Sequence, residues 1–298
     1  MKNILVPTDF SENAANALSY AIQLARRVQG RLILFHNADL PVSYAATNIY
    51  ASAAGDVGLG ASPLYPGAIY PDPELEKVQQ EKLTKLAEQV RLNQQEEIPV
   101  TTHFKYGSFT GNLQDILQEE KADLVIMGTK GASSFFDRLI GTNTASVIKE
   151  IHGVPVLAIP SEARFTPPQN ILFAADLEDE TEIYLNQLLA FAQPFGAQIT
   201  LVHITSQTET EILNEELILD ELRNRFPGHH LRLIERTDKT VAQGLEKYIK
   251  ENPTNLLAIG IHTHGFWHSL FHSSVTEDLV FRTTLPLLAL PEKPFARS

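Results

Sequence analysis

The chain has 298 residues, 43% hydrophobic and 20% charged, enough to bury two ordinary cores. It carries 24 Lys and Arg against 36 Asp and Glu, a net charge of −12; this disfavours a nucleic-acid partner, whose binding rests on neutralising phosphates. The absence of cysteine excludes a disulfide framework, thiolate chemistry and a Cys-ligated metal.

The opening Ile4-Leu-Val-Pro7-Thr8-Asp9 reads as a short apolar strand ending in a polar turn, with too short an apolar run for a secretory signal. No run approaches the roughly 18 apolar residues of a membrane span, so a cytoplasmic protein without a membrane partner is expected. Ser11 caps a predicted helix in which Ala14, Ala17, Leu18, Ala21, Ala25 and Val28 form one apolar stripe, and Gly30 stops it. Arg31 to His36 is a second strand, nearly continuous in apolar residues and so expected to be covered on both faces. With a helix between them, the two strands are expected to be parallel. His36 ends that strand with no partnered acid or nucleophile in view, and is read as a satisfied core histidine.

From Leu40 to Pro73 the composition turns to Ala, Gly, Pro, Tyr and Ser, an insertion that fits a lid, a partner contact or a surface excursion. Next in the chain come a helix over Glu74 to Asn93, a strand over Val100 to Tyr106 broken by Gly107, and a helix over Leu113 to Glu119. The alternation of strand and helix predicts a parallel sheet with helices on both faces.

The next stretch, Leu124-Val-Ile-Met127-Gly128-Thr-Lys130-Gly131, leads through nine residues to Gly141-Thr142-Asn143-Thr144. It reads as a buried strand, a glycine-punctuated loop and a helix N-terminus. Glycine tolerates φ > 0 and lets a ligand approach the main chain, and free helix N–H groups favour an anion, so the chemistry implied is phosphate capture. No Gly-Lys-Ser/Thr closes the loop, which excludes a Walker motif. Val154 to Ile159 is the strand after that helix.

Ser161 to Asn170, with two prolines, fits a linker, and the chain beyond it repeats the pattern of the first 160 residues. Asn3 to Asp9 corresponds to Asn170 to Asp176, and His36 to His203, at one common offset of 167 residues. Val154-Pro-Val-Leu-Ala-Ile-Pro160 answers Leu285-Pro-Leu-Leu-Ala-Leu-Pro291 at an offset of 131. An internal duplication accounts for this, with domains expected at 1–161 and 170–298 and the second copy shorter where the first carries its insertion. Both parts are acidic, with 13 bases against 17 acids up to Ser161 and 11 against 19 after it.

The glycine spacing between these strands resembles the ATP-binding signature of the universal stress protein family, and the duplication resembles its tandem members over nearly the whole chain. The resemblance implies a fold of two tandem open parallel α/β domains, Rossmann-like and similar to the adenine-nucleotide alpha-hydrolases. Their last strands, Val154 to Ile159 and Leu285 to Leu290, would pair into an intrachain pseudo-dimer, with a homo-oligomer through the same terminal edge strands as a further option. It implies an adenine nucleotide, ATP or AMP or ADP, held by Pro7, Thr8, Asp9, Met127, Gly128, Lys130, Gly131, Gly141, Thr142, Asn143 and Thr144. Asp9 would contact the ribose or a Mg²⁺ on the phosphates, and Lys130 would be the local cation.

The Ser-Gly-Gly-rich loop of related adenylating enzymes is absent, as are Gly-x-Ser-x-Gly and His-Glu-x-x-His motifs. Three readings stay open: a nucleotide-dependent stress-response binding module, a slow Mg-dependent ATPase, and an interaction protein with a vestigial site. In the second copy Gly260 keeps the place of Gly128, but Thr263 and His272 stand at those of Gly131 and Gly141, so nucleotide is expected in the first copy only. His264, His268 and His272, spaced by four, are candidate metal ligands if helical, with solvated histidines as the alternative.

Overall fold

The apolar strands behave as their composition demands. In the computed structural model, which describes residues 1–38, 73–92, 98–129, 142–175, 181–205, 215–261 and 285–292, β1 (Asn3–Pro7) and β2 (Arg31–Ala38) pair in parallel, Asn3 opposite Arg31 and Pro7 opposite Phe35. Ile4, Leu5, Val6 and Leu32 through Phe35 are all buried, because alternate side chains enter opposite faces of a sheet covered on both sides. Ile4, Val6, Leu32 and Leu34 pack with α1 (Glu12–Val28) and α2 (Pro73–Leu92). Leu5, Ile33 and Phe35 pack with α3 (Phe109–Glu119) and α4 (Thr142–Glu150).

Helix α1 starts where Ser11 Oγ accepts the Ala14 N–H at 3.2 Å. Its end differs from expectation: Gln29, not Gly30, adopts the left-handed conformation, with φ 53°. Gly30 is required for another reason, since a Cβ there would lie 2.7 Å from the Lys2 carbonyl oxygen. Helix α3 begins four residues before the predicted Leu113, because Ser108 caps it through the Gly111 N–H. The insertion at 40–73 lies outside the described residues except for Pro73, which opens α2.

Strands β3 (Val100–Tyr106), β4 (Leu124–Gly128) and β5 (Val156–Ile159) complete the first copy. The second contributes β6 (Asn170–Ala174), α5 (Thr181–Ala192), β7 (Gln198–Thr205), α6 (Glu215–Arg225), β8 (Leu231–Thr237), α7 (Val241–Glu251), β9 (Leu256–Ile261) and β10 (Leu287–Pro291). All form one ten-stranded sheet in the order β3-β2-β1-β4-β5-β10-β9-β6-β7-β8. Every neighbouring pair is parallel except β5 and β10, which run antiparallel with Leu287, Leu288 and Ala289 opposite Ala158, Leu157 and Val156. The expected pseudo-dimer is thus made within the chain.

That pairing corrects one expectation. Both sides of β5 and of β10 are hydrogen-bonded within the chain, so a homo-oligomer through these strands finds no open edge; the outermost strands are β3 and β8.

The duplication extends to single hydrogen bonds. Asp123 Oδ2 accepts the N–H groups of Lys2 and Asn3 at 2.6 and 2.9 Å, and Asn255 Oδ1 accepts those of Gln169 and Asn170 at 3.1 and 2.9 Å. His36 Nδ1 donates to the Thr8 carbonyl at 2.7 Å, and His203 Nδ1 to the Ala175 carbonyl at 3.1 Å. The Pro-rich connection packs on the first copy: the Asn16 amide donates to the carbonyls of Pro160 and Ala163 at 3.0 and 3.1 Å, and Phe165 meets Tyr20 edge-on at 5.0 Å. No helix among the described residues is long and apolar enough to cross a membrane.

Candidate functional site

The sheet order locates a crevice. From β1 the chain proceeds outward through β2 to β3, whereas β4 and β5 lie on the other side of β1, so the direction of winding reverses between β1 and β4. Ligands of open α/β sheets bind at such a point, outside the carboxyl ends of the strands. Thr8 and Asp9 follow β1 there, and beside them Gly128 ends β4 and Thr129 follows it.

The β1 side is tightly determined. Pro7 closes β1, buried and in register with Phe35. Thr8 is buried, its N–H donates to the Phe35 carbonyl at 2.7 Å, its carbonyl receives His36, and its hydroxyl accepts the Phe10 N–H at 3.1 Å. Asp9 is exposed, and its Oδ1 accepts the Ser11 N–H at 2.9 Å, so it fixes the turn that starts α1 just beyond the carboxyl end of β1.

Phe10, which the sequence did not single out, has φ 62°, a conformation that costs a bulky residue about 1–3 kcal/mol unless its surroundings hold it. Its ring lies 4.5 Å from that of His36 and 6.0 Å from Lys82 Nζ. His36 is itself 5.7 Å from Phe104 and buried, which agrees with its reading as a satisfied core histidine.

On the β4 side, the Met127 side chain is buried among the α3 and α4 core residues, so only its main chain faces the crevice. Gly128 has a clear steric reason: a Cβ there would lie 2.6 Å from the Asn13 carbonyl oxygen, so glycine lets the first turn of α1 rest on the strand. Thr144 is buried, and its hydroxyl donates to the Gly128 carbonyl at 3.0 Å, which holds the first turn of α4 over the end of β4. The Thr144 hydroxyl proton is thus donated within the protein. Asn143 is exposed and Thr142 opens α4. Lys130, Gly131 and Gly141 lie outside the described residues, as do His264, His268 and His272. No group of three or more metal-ligating side chains occurs among the described residues.

The second copy fills the corresponding place differently. A Cβ on Gly260 would lie 2.7–2.9 Å from three ring atoms of Tyr184, and the Tyr184 hydroxyl donates to the Ile261 carbonyl at 3.1 Å. A side chain thus occupies the space beside β9 that the α1 backbone takes beside β4.

The sequence model of the Universal stress protein family matches residues 1–56 and 60–160. Universal stress protein Slr1230 of Synechocystis sp. is 27% identical over 300 residues, covering 97% of this chain and 99% of the relative. Universal stress protein MJ0577 of Methanocaldococcus jannaschii is 29% identical over 163 residues, covering 53% of this chain and 94% of the relative. Among solved structures, a universal stress protein from Archaeoglobus fulgidus superposes with a TM-score of 0.67 at 16% identity, over 97% of this chain and 96% of that one, which shows the shared fold. With a family match over more than half its length, and the switch-point crevice and duplicated sheet just described, this chain belongs to the universal stress protein family.

Proposed function

We propose that the chain is a nucleotide-dependent stress-response binding module that takes ATP, or the related ADP or AMP, at the carboxyl edge of β1 and β4, and that it takes one nucleotide per chain. The observation that carries this reading is the juxtaposition of Thr8 and Asp9 with Gly128 and Thr129 at the switch point, with α4 starting at Thr142. The nucleotide's phosphates run along the Gly128 to Asn143 main chain, where the N-terminus of α4 favours an anion by about 0.3–1 kcal/mol. Pro7 and Thr8 shape the floor. Asp9 meets the ribose or supplies one hard oxygen ligand to a Mg²⁺ held chiefly by the phosphates. Lys130, Gly131, Gly141 and Thr142 complete the cradle by their place in the sequence.

The units at 1–161 and 170–298 divide the work: the first binds and the second supports. The Tyr184 ring beside Gly260, together with Thr263 and His272 at the places of Gly131 and Gly141, favours this asymmetry. Native mass spectrometry of freshly purified protein tests the reading. One adenine nucleotide per chain is expected; a nucleotide-free protein that also fails to take up added ATP contradicts it.

A further inference from the structure

At the amino-terminal end of β7 and β8 lies a pocket of about 250 Å³ lined by Gln198, Arg223, His230, Leu231 and Arg232. From Arg223 to Arg232 there is no Asp or Glu, although this half of the chain is the more acidic. Helix α6 ends with Arg223 and Arg225, and the chain turns back through Gly228, at φ 83°, to bring His230 and Arg232 to the same place. Arg225 is ion-paired to Glu182. Among the described residues Arg223 has only a loose contact, 3.6 Å, with Asp220, and both side chains are well exposed. Oriented by its hydrogen bonds, the Gln198 amide oxygen accepts from Arg232 Nε at 2.5 Å and Nη1 at 3.3 Å. A neutral amide fixes this guanidinium, and among the described residues no carboxylate neutralises it.

The first copy is arranged differently at the corresponding place. There Arg31 holds the place of Gln198, and Glu120 neutralises it at 2.8 Å while also accepting from His103 at 2.6 Å. The matching helix caps Ser108 and Thr240, and the matching Asp123 and Asn255, put Asn252 at the place of Glu120. Strand register puts Arg232 at the place of Thr101, because Ile33 faces Thr101 as Thr200 faces Arg232. The second copy thus lacks the acid and carries an arginine where the first has Thr101, an open cationic pocket in place of a closed ion-pair network.

We propose that this pocket is an anion site for a phosphate group, free or carried on a small phosphomonoester. Arg232, held in plane by Gln198, presents its remaining N–H donors in the fork that suits phosphate, and Arg223 and His230 close around it. A volume of about 250 Å³ leaves room for a short carbon chain behind the phosphate.

The test is a titration of the full chain, saturated with ATP, with inorganic phosphate and separately with glycerol 3-phosphate, monitored by backbone amide NMR. Both ligands are expected to shift Leu231 and Arg232, and tighter binding of glycerol 3-phosphate would identify the esterified group as the ligand. The double variant Arg223→Gln/Arg232→Gln is expected to lose about tenfold or more of that affinity, as fits the loss of charge-assisted contacts, with ATP binding and thermal unfolding unchanged. Absence of shifts at the start of β8 with either ligand, or shifts that persist in the double variant, would overturn the proposal.

Discussion

Ala17 and Tyr184 stand 167 residues apart at the same place of the repeat, and they seat the first helix of each copy on β4 and on β9 in two different ways. Fully buried Ala17 lets α1 settle until the Asn13 carbonyl meets Gly128. Tyr184 puts a ring between α5 and Gly260 and ties its hydroxyl to Ile261. Tyr184→Phe should cost about 1 kcal/mol in urea unfolding, for one lost hydrogen bond, and Tyr184→Ala about 3–5 kcal/mol, for a cavity. Neither loss should reach the first copy's ATP affinity if the two sites are independent.

Gly128→Ala tests the close approach on the other side. Its Cβ would meet main chain rather than a flexible side chain, so the first turn of α1 has to move. An expected loss of about 1–3 kcal/mol, as for an overpacked core, should come with weaker ATP binding, because the same turn carries Asp9 and Ser11. Thermal unfolding and calorimetry on one sample read both effects; unchanged stability would show that α1 does not rest on Gly128.

Much of this architecture was legible in the chain. The paired Asn-Ile-Leu segments at Asn3 and Asn170, and the answering Val-Pro and Leu-Pro strands, give the duplication, because each is a local pattern repeated at a constant offset; that the last two strands pair came from the family resemblance, and their antiparallel direction from the structure. What stayed hidden depends on contacts between distant residues. Thr144 looks like a phosphate ligand by spacing, yet its buried hydroxyl is engaged by Gly128, and no pattern announces the left-handed Phe10. Tyr184 fits an apolar helix stripe as well as any core residue, so its place against Gly260 appears only when β9 is set beside α5.

Thr144→Val keeps the shape but removes the donor to the Gly128 carbonyl. A loss of about 1–2 kcal/mol is expected, for a buried acceptor left unpaired, with a fall in ATP affinity that Thr144→Ser largely restores. If Val binds ATP as tightly as wild type, the bond does not position α4 for the ligand.

Acid titration should expose the Glu120 network. The His103 hydrogen bond, and then Arg31, hold the Glu120 carboxyl below its ordinary range. A carboxylate whose pKa is lower folded than unfolded stabilises fully above the unfolded value, and that contribution fades as the pH falls through the folded one. Glu120→Gln should therefore cost about 1 kcal/mol near pH 7, and the gap to wild type should narrow below roughly pH 4. Denaturant midpoints across that range check this; a gap that widens in acid has the wrong sign.

The central claim, one nucleotide per chain at the β1 and β4 edge, is tested most directly by calorimetric titration with ATP of wild type and of Gly131→Val. A stoichiometry of one is expected, and it should disappear in Gly131→Val while the fold persists. Saturation at two ATP per chain, or undiminished binding to Gly131→Val, would contradict it.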